Sequence, residues 1–289
     1  MSSTVRIANQ FLTVDVSSLG AEMQALTSSD GRSWVWNGDA AFWTGRSPIL
    51  FPMVGKAPND VLKVAGHSAP MGQHGFARRS EFALASSSEA SCRYELAASE
   101  ATKAVYPFDF LLAVIHSVEG RALTVAAEVT NRDIRPMPFG IGFHTAFRWP
   151  LPDAENKPHT VTLDNGAEPA LVRLEGGLIS PKKLDSPFGA GRLVLDHSMF
   201  EQDAMIFPEG AGPGLRYGAE GGPSMHFSFE NLPNLALWTK PGAPFLCVEP
   251  WHGTAAENGG SDDLEGRPYT KVLAPGETTR FSYTVEILA

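Results

Sequence analysis

The feature that most constrains this chain is a hydrophobic period of two. Leu123, Val125, Ala127 and Val129 alternate with Thr124, Ala126, Glu128 and Thr130. Phe281, Tyr283, Val285 and Ile287 alternate with Ser282, Thr284 and Glu286. Successive side chains of a strand point to opposite faces, so both runs predict half-buried strands. Phe11-Leu12-Thr13-Val14-Asp15-Val16 and Met225-His226-Phe227-Ser228-Phe229 repeat the pattern over shorter spans. Turn residues fall between the runs. Asp30-Gly31, Glu119-Gly120-Arg121 and Ala274-Pro275-Gly276-Glu277 each supply a glycine where a tight connection needs positive φ. The 28 Gly and 22 Pro are spread along the chain, which predicts many turns rather than one linker.

Helical periodicity is scarce. The best candidate is Ser198-Met199-Phe200-Glu201-Gln202, behind a possible Asp196 cap. Alternating strand–helix units are absent, which disfavours a parallel α/β sheet. The expected fold is therefore all-β, a large, mostly antiparallel β-sandwich forming a single domain over residues 1–289. Residues 208–222, rich in Gly, and 255–266, Gly-rich and acidic, read as mobile loops.

Composition excludes several function classes. With 289 residues, 43% of them hydrophobic and 19% charged, the chain has enough apolar material for a sizeable core. The formal net charge of -9 repels phosphate backbones and anionic lipid, so neither nucleic acid nor a membrane is an expected partner. A homodimer is compatible with the composition. No apolar segment approaches membrane-spanning length and Met1 to Gln10 lacks a signal-peptide pattern, which predicts a cytoplasmic protein. Cys92 and Cys247 form no C-x-x-C motif, and two free thiols in a reducing compartment is a simpler reading than a disulfide. No histidine pair has metal-ligand spacing, and no phosphate or dinucleotide fingerprint is present, so neither metal nor cofactor is expected.

Four segments concentrate polar groups in apolar or glycine-rich surroundings. Arg46, before the run Ser47-Pro48-Ile49-Leu50-Phe51-Pro52, reads on its own as a structural ion pair, because an unpaired buried guanidinium is costly. His74, in Gln73-His74-Gly75-Phe76-Ala77-Arg78, can bond a backbone carbonyl or a ligand oxygen. His144, in Gly140-Ile141-Gly142-Phe143-His144, reads equally as a satisfied core histidine or as a proton donor working near neutrality. Glu249 ends the apolar run Phe245-Leu246-Cys247-Val248. Burial there would raise its pKa and make it a stronger base, with Trp251 offering an aromatic face to a sugar ring.

Together these segments resemble the aldose 1-epimerase family, also called galactose mutarotases, and more closely its bacterial LacX-like branch. The matching pieces are Gly45-Arg46-Ser47-Pro48-Ile49-Leu50-Phe51-Pro52, His74-Gly75-Phe76-Ala77-Arg78, Gly142-Phe143-His144, Gln202-Asp203-Ala204 and Glu249-Pro250-Trp251, in the family's order. The resemblance implies the galactose-mutarotase-like "supersandwich" and a small-molecule sugar as substrate. It implies His144 as general acid, Glu249 as general base, and Arg46, His74 and Asp203 as substrate-orienting groups, with neither metal nor nicotinamide. The chain departs from the family in carrying Thr145-Ala146 after the histidine, a region that the resemblance gives to pocket shape. A phosphosugar 1-epimerase using Arg78 and Arg79, and a non-catalytic sugar binder on the same sandwich, are the alternative readings.

Overall fold

The computed structural model describes residues 2–288. Its two main sheets are antiparallel throughout. The larger has nine strands, in the spatial order Arg192–Val194, His159–Leu163, Gly214–Ala219, Ser224–Glu230, Thr278–Leu288, Ala122–Asn131, Phe110–Glu119, Ser91–Ala97 and Ala83–Ser87. The smaller runs Met205–Phe207, Asn234–Trp238, Phe245–His252, Ile141–Phe143 and Ile49–Leu50, and Thr145–Arg148 also pairs with Phe245–His252. A third sheet of Thr4–Ala8, Leu12–Ser17 and Met23–Ser28 contributes Ile7, Val14 and Val16 to the shared core. The two strongest period-two runs thus become neighbours at the middle of the large sheet, Val125 opposite Tyr283. The turn at Glu119-Gly120 joins Phe110–Glu119 to Ala122–Asn131 as a hairpin.

The two main sheets pack face to face. Phe143 meets Tyr283 with ring centroids 5.0 Å apart, and Phe147 meets Phe227 at 5.1 Å. Edge-on aromatic pairs of this kind add to the burial of large apolar surfaces, and truncating one such ring to alanine costs about 3–5 kcal/mol. The smaller sheet is unusual in being covered on both faces. On the strand Phe245–His252, Leu246 and Val248 join the core under the large sheet, while Phe245, Cys247 and Trp251 join separate apolar clusters on the other side. A strand covered twice reads as a continuous apolar run rather than as alternation, and its first seven residues are all buried.

The short helical candidate is a 3-10 turn, His197–Phe200, capped by Asp196, whose carboxylate accepts from the Ser198 amide at 2.8 Å. The loop expected over residues 208–222 is corrected by the structure. It contains the strand Gly214–Ala219, paired on both sides, with Leu215 and Tyr217 fully buried. Residues 255–266 contain no strand, yet the segment is tied down. The Ala256 amide donates to Lys56 O at 3.1 Å and the Asn258 amide to Ile179 O at 2.8 Å. Among the described residues no helix is long and apolar enough to cross a membrane.

Candidate active site

The outer face of the smaller sheet forms the floor of a cavity of roughly 320 Å³. That is the low end of the range for small-ligand pockets, about 300–1,000 Å³. Strand register explains how the two candidate proton-transfer groups meet. Gly142 pairs with Trp251 and Thr145 with Val248, so His144 falls opposite Glu249. Directly opposed side chains on one face of an antiparallel pair touch, and His144 Nε2 lies 3.4 Å from Glu249 Oε2. Gly142 makes room for this floor, since a Cβ there would lie 2.4 Å from Trp251 Cδ1.

Burial controls the charges. It pushes His144 down to about 3, aided by the Arg78 guanidinium, and pushes Glu249 well above the ordinary carboxylate range, aided by Asp203. Each residue alone favours its neutral form. Their neutral forms together hold one titratable proton, on Glu249, and moving it to His144 would leave the net charge unchanged. The indole of Trp43 lies over His144 at 4.9 Å and 31°, and Trp238 presents an edge-on contact at 5.6 Å. Aromatic faces stabilise a cation near them by about 0.5–2 kcal/mol, which favours the imidazolium.

Loops supply the wall. His74 has φ 67°, a conformation uncommon outside glycine. Its backbone amide donates to Gly55 O at 2.8 Å, and its Nδ1 accepts from the Gly55 amide at 3.0 Å. With Nδ1 accepting, the neutral ring carries its proton on Nε2 and is a donor there. Burial and the neighbouring His144 and Arg78 hold its pKa well below the ordinary histidine value, which keeps that neutral form. Gly75, next to it, accommodates the close approach of Phe51, whose carbonyl oxygen would lie 2.2 Å from a Cβ. Asp203, also at φ 67°, follows the 3-10 turn; its carbonyl accepts from Arg173 Nη1 at 2.7 Å and its Oδ1 from the Ala204 amide at 2.8 Å.

The structure thus brings His74, His144, Asp203, Glu249 and Trp251 to one cavity. It does not bring Arg46 there. The Arg46 Nε and Nη2 donate to Asn37 O at 2.8 and 2.6 Å, and its Nη1 donates to Gln24 Oε1. Three of its N–H groups tie the loop that carries Trp43 to itself and to the strand Met23–Ser28, with a carbonyl and an amide as acceptors rather than the carboxylate expected of an ion pair. Arg78 takes the cavity position instead, its Nη2 donating to Gln73 O at 2.8 Å. Thr145 and Ala146 do not line the cavity. Thr145 points inward to Tyr283 Oη at 2.9 Å and Ser47 Oγ at 2.7 Å, and Ala146 packs among Trp36 and Phe245. His252 donates from Nδ1 to Asn231 O at 2.8 Å and packs on Phe281, a structural setting.

Trp43, Trp238 and Gln73 line the cavity without having been singled out from sequence. Trp43 stands two residues before Gly45-Arg46, which was the available signal; Trp238 carried none beyond being an aromatic. Several buried polar atoms without partners belong to cavity residues: Arg78 Nε, His144 Nδ1 and Trp251 Nε1. Others lie on His116, Arg173, His197 and Arg267, away from the cavity, so orphaned atoms do not by themselves mark it.

Comparisons with known proteins show the family and the fold. Residues 3–285 match the aldose 1-epimerase family. The chain is 28% identical to the chromosomal protein LacX of Lactococcus lactis subsp. lactis, over 99% of both chains. Its structure is similar to that of a galactose mutarotase related enzyme from Lactobacillus acidophilus, with TM-score 0.93, 25% identity, and coverage of 99% and 98% of the two chains. It is equally similar to a galactose mutarotase-like protein from Lactobacillus casei, with TM-score 0.92, 27% identity, and coverage of 99% and 100%. The chain belongs to the aldose 1-epimerase family.

Proposed function

We propose that this protein is an aldose 1-epimerase that interconverts the α and β anomers of a free monosaccharide. The observation that carries the reading is the 3.4 Å approach of His144 to Glu249 on the floor of a sugar-sized cavity. Mutarotation moves one proton off the anomeric hydroxyl and one onto the ring oxygen. Both oxygens are bonded to C1, so the groups that serve them must be neighbours.

In the mechanism, the anomeric hydroxyl donates to Glu249. A hydrogen bond to a carboxylate favours its charged form, so sugar binding draws the shared proton toward His144 under the face of Trp43. Glu249 then removes the hydroxyl proton while the imidazolium gives its proton to the ring oxygen. The C1–O5 bond breaks to the open-chain aldehyde. Rotation about C1–C2 exposes the other carbonyl face, and reclosure runs both transfers backward. His74 donates from Nε2, Asp203 accepts at the mouth and Trp251 packs on the ring, holding one pose. Saturation-transfer NMR on α-glucose and α-galactose tests the reading: anomer exchange must be faster with protein than in buffer. Equal rates across a panel of hexoses and pentoses would overturn it.

One observation favours a second reading. Arg78 lines the cavity, and a guanidinium is the group that grips phosphate. Turnover of glucose 6-phosphate that disappears in Arg78→Ala, with free glucose inert, would replace the free sugar by a phosphosugar.

A further inference from the structure

Cys247 has no part in the reaction described above, yet its thiol lies against the proton-transfer pair. One ring nitrogen of His144, the Cys247 Sγ and one Glu249 oxygen all lie within 4.8 Å of one another. The sheet enforces this. Cys247 precedes Glu249 by two residues on the same face of Phe245–His252, and His144 stands across from them. All three residues are buried. We propose that His144, Cys247 and Glu249 form a capture site for a thiophilic divalent cation of the zinc class, and that an ion seated there shuts down proton transfer.

Ligand chemistry, geometry and charge all support the site. Zinc accepts imidazole, thiolate and carboxylate together, and three protein ligands leave its fourth position for water. Bond lengths of about 2.0–2.3 Å give a tetrahedron with edges of about 3.3–3.7 Å. His144 Nε2 and Glu249 Oε2 are 3.4 Å apart, and the three candidate ligand atoms lie within 4.8 Å of one another, so no edge needs to close by more than about 1.5 Å to reach such a tetrahedron. A neutral imidazole, a thiolate and a carboxylate carry two negative charges, which a dication cancels in a place where an isolated charge is very costly. Arg78 and Asp203, the flanking charged groups, have opposite signs and leave that balance unchanged. Seating the ion displaces the protons of the Cys247 thiol and the Glu249 carboxyl to solvent. The ion is an inhibitor in this scheme and takes no step in the epimerisation.

Cobalt(II) chloride titrated into the full chain provides the test, because a thiolate–cobalt bond gives a charge-transfer absorption in the near ultraviolet. The expected result is one such band per chain, bleached by zinc chloride. Cys247→Ser and Cys247→Ala should both lose the band. Their zinc affinity, read by competition with a chromophoric chelator, should fall about ten-fold or more, the scale on which metal sites suffer when even a supporting group is lost. His144→Ala should weaken zinc comparably, and Cys92→Ser should change nothing. Absence of the band, unchanged zinc affinity in both Cys247 variants, or loss of the band in Cys92→Ser would overturn the site. Cobalt binding needs no turnover, so a chain that binds metal yet epimerises no sugar even after chelation has stripped it of metal sinks only the proposed function. An active chain that binds no metal, or one whose turnover zinc leaves unchanged, sinks only this one.

Discussion

Two buried histidines, His116 and His144, look alike until their surroundings are compared. Each has an unpartnered Nδ1, and burial lowers the pKa of each, to about 4 and about 3. Each even has a cysteine nearby, since Cys92 pairs with His116 in register and Cys247 lies beside His144. The difference lies in the other nitrogen. His116 Nε2 meets the Ala21 carbonyl at 3.0 Å, which fixes its proton there and has nothing to exchange it with. His144 Nε2 meets a carboxylate and borders a cavity. Burial and an orphaned nitrogen therefore do not identify a general acid. A titratable partner and room for a substrate do.

The sharpest way to break this contrast is kinetic. His144→Asn and Glu249→Gln should each lower turnover by about 10²–10⁴-fold, the usual worth of a positioned acid or base. Glu249→Gln should still bind sugar, and His116→Asn should leave turnover within about two-fold. If His116→Asn costs as much as His144→Asn, the two sites do not differ in the way described.

A smaller effect should appear in stability against pH, and there the roles reverse. The folded pKa of His116 lies near 4, below its ordinary 6.5, so the unfolded chain takes up the proton first as pH falls. Stability should be lost progressively from pH 6.5 to about 4, by roughly 3 kcal/mol in total, and none of this loss occurs above 6.5. His144 pushes in the same direction, but Glu249, with its raised pKa, pushes in the opposite one. His116→Gln should therefore flatten the acid limb of a urea-midpoint profile. The His144→Asn, Glu249→Gln double variant should change that limb little. A steeper effect from the double variant would show that the pair does not act as a one-proton unit. The smallest effect expected is that of Trp43→Leu, which removes the aromatic face from His144. Turnover should fall several-fold, with sugar affinity nearly unchanged, in keeping with about 0.5–2 kcal/mol for a cation over an aromatic ring. A loss confined to affinity would move Trp43 from supporting the imidazolium to gripping the sugar.

Much of the fold was legible because half-buried strands alternate, and the runs at 123–129 and 281–287 do so except at Ala126 and Ser282, which face each other in register and are both buried. The strand Gly214–Ala219 escaped because Gly214 and Gly218 put no side chain where alternation would show. Gly218 needs that absence, since a Cβ there would lie 2.5 Å from Ser224 Cβ. At the site, local sequence left His144 balanced between two roles, because what separates them is a partner a hundred residues away. The family resemblance named that partner, and register explains the meeting. Arg46 and Arg78 show the limit of such inference: both sit in matching motifs, but only geometry tells which guanidinium lines the cavity.

The double covering of the strand Phe245–His252 has a consequence for how this protein can change. Leu246 and Val248 anchor the strand in the core shared with the large sheet while Cys247 and Trp251 pack on its other face, so displacing Glu249 disturbs packing on both sides of the sheet at once. The rim is assembled from separate loops, represented by Trp43, Gln73, Gly177 and Ala255, none of which belongs to the core shared with the large sheet. Chemistry and selectivity are thus built on parts with different mutational tolerance. A new sugar preference is reached by exchanging rim segments one at a time, while the proton-handling floor is inherited whole or lost with the fold.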